Sequence, residues 1–135
     1  MDLPLLRELV ESHGIAGYEA SPRSIAEREM SKLGETRTDR LGNLHLHLAG
    51  EGPKVMIAAH LDEIGFLVRF VDEDGFLFLQ PLGGFDPRQM NSKRVRVTTD
   101  TETLAGTLNY GTKPKHLLSD DEAKAGQKIE SFFVD

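Results

Sequence analysis

The stretch Lys54-Val55-Met56-Ile57-Ala58-Ala59-His60-Leu61-Asp62-Glu63-Ile64-Gly65-Phe66 decides how this chain is read. Its first half, Lys54 to Ala59, is continuous and apolar, the pattern of a strand covered on both faces in an α/β sheet rather than of a half-exposed strand with alternating polarity. Its second half turns abruptly polar, with His60, Asp62 and Glu63 crowded where the strand would end. In open α/β sheets the carboxyl ends of strands border the crevice in which ligands bind, so location and chemistry coincide here. A neutral imidazole is a common ligand of divalent transition metals, and such a histidine usually gives its other ring N–H to a carboxylate. In extended chain, residues two apart share a face, which lets Asp62 orient His60. Glu63 then points the other way and reads as a structural or solvated acid rather than a ligand.

Upstream of this stretch the period is helical. Leu3, Leu5, Leu6, Leu9 and Val10 mark an amphipathic helix over residues 3–12 with Pro4 in its first turn, ended by His13-Gly14. Ser21 reads as the cap of a second helix over residues 22–33, with Pro22 at its first position and Gly34 closing it. Leu44, Leu46 and Leu48 then alternate with His45 and His47 after the turn Leu41-Gly42-Asn43, a half-exposed strand. Gly50 to Pro53 forms the next turn.

Downstream the pattern becomes β-rich with frequent turns. Asp72-Glu73-Asp74-Gly75 joins two strands in a hairpin, the stretches Arg94–Asp100 and Thr103–Gly111 supply further strands, and the acidic stretch after Leu117 holds the only later helix before a strand-like Ser131–Asp135. The change of pattern places a domain boundary near residues 65–70, giving an α/β first part and a β-rich, barrel-like second part.

Composition narrows the function. With 135 residues the chain fits one ordinary domain by length, large enough to bury a core. No apolar run reaches the ~20 residues of a spanning helix, so a membrane protein is not expected. The net charge of −6, from 22 acids against 16 scattered bases, argues against a nucleic-acid binder. The absence of cysteine removes disulfides, thiolate metal sites and a cysteine nucleophile, and together with an acidic N-terminus unlike a secretion signal it gives a cytoplasmic expectation. There is no G-x-S-x-G elbow, phosphate-binding P-loop, H-E-x-x-H pair or G-x-G-x-x-G turn. A glycosidase needs aromatic platforms beside paired carboxylates, and the chain has no tryptophan. The other histidines carry less. His45 and His47 share a strand face, either chelating a metal or serving as the polar face of an edge strand; His116 lies among bases in a loop; His13 suits the negative end of a helix dipole.

Taken together, Leu5–Arg23, Asp39–Val68, Leu82–Val97 and Gly111–Lys124 resemble, in order, the N-terminal part of the M42 metallo-aminopeptidases, the group of the glutamyl aminopeptidases and the tetrahedral self-compartmentalising peptidases. The resemblance implies that residues 1–66 are the first piece of a catalytic α/β domain and residues 67–135 most of a β-rich insert that mediates dimerisation on the way to dodecamers. It implies that His60 binds one of two catalytic divalent ions, zinc or cobalt, and that Asp62 is the catalytic carboxylate orienting it, in an enzyme that removes N-terminal residues from peptides. The family's bridging aspartate, glutamate base and remaining ligands have no counterpart in this chain, so the expectation is a fragment inactive alone. The rival expectation is a non-catalytic β-barrel module for assembly or dimerisation.

Overall fold

The computed structural model describes residues 2–135, which divide after Glu63 into two compact units, residues 2–63 and Ile64–Asp135. In the first unit, helix α1 (Leu3–Glu11) begins where the Asp2 carboxylate accepts from the Leu5 amide at 3.1 Å, with Pro4 in the first turn where a missing N–H costs nothing. Helix α2 (Ala20–Met30) starts earlier than the sequence suggests: its N-cap is Glu19, and Ser21 sits inside the helix instead of capping it. Pro22 stands in the third helical position, still within the turn that tolerates proline, and the loop after α1 packs on it so closely that a Cβ on Gly14 would lie 2.6 Å from Pro22 Cγ. Ile25, in the same helix, is buried as well, at 7% exposure. The two helices are tied by Arg28, which donates to both carboxylate oxygens of Glu8 at 2.7 and 2.6 Å, an exposed fork that holds Glu8 below the usual carboxylate range.

Strands β1 (Thr36–Thr38) and β2 (Leu44–Leu46) form an antiparallel pair in which Arg37 faces His45. Asp39 organises the turn between them, its Oδ1 accepting from the Leu41 and Asn43 amides at 2.9 and 3.0 Å and Gly42 supplying a φ of +88°. The alternation expected through Leu48 ends at Leu46, and Leu48 is exposed.

The largest departure from expectation lies in the apolar run before His60. Lys54 to His60 forms no strand; it runs without ladder partners, and Val55, Met56 and Ile57 are 83%, 88% and 94% exposed. An apolar segment becomes a buried strand only when neighbouring strands take its N–H and C=O groups and layers cover both faces. Among the described residues of this unit the only strands are β1 and β2, which pair with each other. The segment is first anchored at its far end, where Glu63 makes an isolated parallel bridge to Ile15.

The second unit is a five-stranded antiparallel half-barrel in the order β3-β4-β7-β6-β5, built from β3 (Gly65–Val71), β4 (Leu77–Leu82), β5 (Lys93–Thr98), β6 (Thr103–Tyr110) and β7 (Phe132–Val134). The β3–β4 hairpin closes as expected at Asp72–Gly75: Asp72 Oδ1 accepts from the Asp74 and Phe76 amides at 3.1 and 2.9 Å, and Gly75 takes a φ of +91°. The acidic helix is short, α3 (Asp120–Lys124), and begins in a capping box in which Ser119 and Glu122 satisfy each other's backbone amides. The strand-like C-terminal residues take the central place: β7 lies between β4 and β6 and brings Phe132 and Val134, 1% and 4% exposed, against Leu108 and Met90. The mixed helix-and-strand class read from the sequence is the class observed, and among the described residues no helix is long and apolar enough to cross a membrane.

Candidate metal centre

His60 ends the extended segment and is held by the residue two places along. Its Nδ1 lies 3.0 Å from the Asp62 carbonyl oxygen and 3.2 Å from Asp62 Oδ1. A carbonyl oxygen only accepts, and so does an ionised carboxylate, so Nδ1 must be the ring nitrogen that carries hydrogen in the neutral imidazole. The lone pair then stands on Nε2. The His60 side chain is 82% exposed, which leaves that nitrogen open to a ligand. Asp62 is the more sheltered partner, its side chain 43% exposed. The pair therefore has the arrangement of a metal-binding histidine and its orienting carboxylate.

A tight site needs more than this pair. Among the described residues there is no cluster of three or more His, Asp or Glu side chains placed to hold a metal ion. His60 fits one coordination position, and the described residues form no larger ligand group around it. The alternation predicts a shared strand face for His45 and His47, but β2 ends at Leu46 and His47 lies beyond it; His45 is turned to Asp39, with Nε2 3.1 Å from Oδ2, and that contact and the Asn43 side-chain amide at 2.9 Å are among the hydrogen bonds that hold the Asp39 carboxyl far below its usual range, the Asn43 bond contributing most. His13 lies just beyond the Ser12 cap of α1, and His116 in a single 3-10 turn over Lys115–Leu117.

Glu63, which the sequence leaves as a structural or solvated acid, has a defined partner. Its Oε1 accepts from the Gly14 amide at 3.3 Å, while its own amide donates to the Gly14 carbonyl at 2.9 Å. These two residues stand 49 apart in the chain, and no spacing rule signals their pairing. Beside them a concavity of about 280 Å³ opens between α1 and the polar turn, lined by Leu9, Val10, Pro22, Leu61 and Glu63 among others. It is open to solvent rather than enclosed.

An exposed imidazole at the end of an apolar segment, with a carboxylate two residues on, has the chemistry of one ligand position and its orienting partner rather than of a complete metal site. The particular family is given by comparison with known proteins. The M42 glutamyl aminopeptidase family model matches residues 42–135, and the chain belongs to that family. It is 33% identical to lysyl aminopeptidase of Pyrococcus furiosus, an alignment covering 100% of this chain and 39% of that protein. Among solved structures, the TET aminopeptidase of a marine-sediment Thaumarchaeota archaeon superposes with a TM-score of 0.88 at 29% identity, over 98% of this chain and 37% of that one. The TET1 peptidase of Pyrococcus horikoshii, described as able to assemble into a tetrahedron or a large octahedral shell, superposes with a TM-score of 0.84 at 27% identity, over 98% and 39% respectively. The chain thus spans under two fifths of the length of the relatives it matches.

Proposed function

We propose that this chain is the N-terminal part of a metal-dependent aminopeptidase, in which His60 provides one ligand to a pair of divalent ions and Asp62 fixes that ligand's tautomer. The observation that carries the reading is the Nδ1 contact of His60 with two acceptors of Asp62, which leaves Nε2 bare and solvent-facing. Bound divalent ions, zinc or cobalt, would supply polarisation of the scissile carbonyl and an activated water. The chain's own contribution is narrower: Asp62 keeps the Nδ1 proton in place, and His60 presents a neutral nitrogen. A single nitrogen donor binds a divalent ion weakly, since structural and catalytic sites converge three or four ligands on one point. By itself the chain is therefore proposed to be inactive. The exposed Val55, Met56 and Ile57 support the same view, because they are the surface that further strands of a catalytic domain would cover.

In this reading the substrates are peptides with a free N-terminus, and residues 67–135 form the dimerisation insert of a protein that assembles further as a homo-oligomer. The self-contained core of the second unit favours a second reading, in which the half-barrel acts alone as a pairing module. One experiment separates the two. Residues 1–135 are grafted in place of the matching N-terminal portion of the Pyrococcus furiosus lysyl aminopeptidase, and release of N-terminal residues from peptides is assayed with added cobalt or zinc. Activity in the graft, lost on His60→Ala with the fold retained, is the expected result; near-normal turnover of the His60→Ala graft refutes the ligand role. A stable dimer of the isolated chain with no activity in the graft favours the module.

A further inference from the structure

The Asp62–Glu63 peptide group stands in two hydrogen bonds at once. Its N–H, on Glu63, donates to the Gly14 carbonyl at 2.9 Å; its C=O, on Asp62, accepts from His60 Nδ1 at 3.0 Å. A trans peptide is planar, with N–H and C=O pointing in opposite directions, so fixing one end of the group fixes the direction of the other. Gly14 is itself immobilised. It is buried, it presses on Pro22 where a Cβ would lie 2.6 Å from Cγ, and its amide is taken by Glu63 Oε1 at 3.3 Å. The Gly14–Glu63 pair is thus a two-way clamp in which each residue both donates and accepts.

We propose that Gly14 and Glu63 are positioning residues for His60, acting through the Asp62–Glu63 peptide group as a hydrogen-bond relay from the loop after α1 to the imidazole. The inference rests on reading His60 as a metal ligand and adds a second orienting partner, a backbone carbonyl, to the Asp62 carboxylate. The distinction has a chemical consequence. A backbone carbonyl oxygen only ever accepts, so one held in place by Gly14 favours hydrogen on Nδ1, and with it the lone pair on Nε2, alongside the Asp62 carboxylate. It also explains why an exposed acid next to the orienting aspartate is tied back to a helix loop: the clamp stops the peptide plane from rotating, in a segment that otherwise has no ladder to hold it. Successive hydrogen bonds in such a chain polarise one another, which reinforces donation from Nδ1.

The test uses the 135-residue chain and reads the His60 tautomer directly, by two-bond proton–nitrogen correlation at a pH where the imidazole is neutral. The wild-type chain is expected to show Nδ1–H as the main form. Glu63→Met keeps the length of the side chain and removes its strong acceptor; it is expected to lower the ratio of Nδ1–H to Nε2–H by about threefold or more and to speed exchange of the Gly14 amide by about tenfold. Glu63→Gln retains an acceptor oxygen and is expected to restore both, a rescue that a merely stabilising side chain would not need. A wild-type chain that is mainly Nε2–H overturns the relay without any variant, and so guards against a Glu63→Met protein that fails to fold. An unchanged ratio in folded Glu63→Met overturns the role of Glu63. The ligand role of His60 is decided separately by the activity of the His60→Ala graft, so an unchanged ratio in folded Glu63→Met removes the relay and leaves that reading intact, whereas a wild-type Nε2–H form removes the relay together with the orienting role of Asp62.

Discussion

Replacing Phe132 by alanine is the sharpest probe of how the second unit holds together. Phe132 lies in β7, the central strand, at 1% exposure, and its ring meets that of Tyr110 at 5.0 Å between centroids. Emptying a fully buried phenylalanine site costs about 3–5 kcal/mol from lost transfer energy and the cavity left behind. The loss of an aromatic neighbour falls within the same range, since such pairs add about 0.5–1.5 kcal/mol. A folded unit of about 70 residues holds roughly 4–10 kcal/mol in all. The variant therefore sits at the edge of unfolding. In urea, with a slope of about 1 kcal/mol per molar for a unit this small, the midpoint is expected to fall by about 3 M or more. The change is read in the near-ultraviolet dichroism of Tyr110, because Tyr18 in the first unit is 67% exposed and contributes little. A loss below about 1 kcal/mol would refute the argument, for it would mean that the β4-β7-β6 layer collapses around the missing ring or that β7 is not its centre.

Three further outcomes are expected from the geometry. Ile57→Ser, at a residue 94% exposed, is expected to change the stability of the isolated chain by no more than about 0.5 kcal/mol, as for a surface site; a loss of about 2 kcal/mol or more in a urea titration would restore the buried-strand reading. Glu122 is held down to about 2, first by the Lys113 ammonium at 2.7 Å and then by the Ser119 amide and hydroxyl. Since the folded value is depressed, the support it gives α3 is full above its ordinary 4.5 and disappears as pH falls through about 2; an acid titration of its side-chain carbonyl by NMR checks this, and a midpoint near 4.5 would contradict it. Asp39→Ala removes the acceptor of four hydrogen bonds at the β1–β2 turn, and the amides of Leu41 and Asn43 are expected to lose their exchange protection; retained protection would show that the turn is held by its strands alone.

Local signals in the chain translate well into local structure. The spacing of Leu3, Leu6 and Val10 yields α1, the acidic-glycine run at Asp72–Gly75 yields a hairpin, and alternation around His45 yields β2, because each depends on neighbours a few residues away. The failures are all non-local. Val55–Ala59 has the composition of a buried strand, but burial is a property of the neighbours that arrive, and the first unit provides none. Phe132 and Val134 read only as a strand-like run; that they would thread between β4 and β6 depends on pairings with residues more than 20 positions away, such as Tyr110 with Phe132 and Leu77 with Val134. At the candidate site, the i to i+2 geometry of His60 and Asp62 is legible from extended-chain periodicity. The Gly14–Glu63 clamp is not, since nothing in either residue's surroundings names the other.

The bare run from Lys54 to His60 also has a fate in any compartment that polices its proteins. Five consecutive apolar residues on unpaired backbone, Val55 to Ala59, fit the extended clefts of proteases and holdase chaperones, which select chain that is neither coiled nor paired. A cut beside Lys54 would part both helices and the Gly14 loop from His60 while leaving every strand of the half-barrel whole.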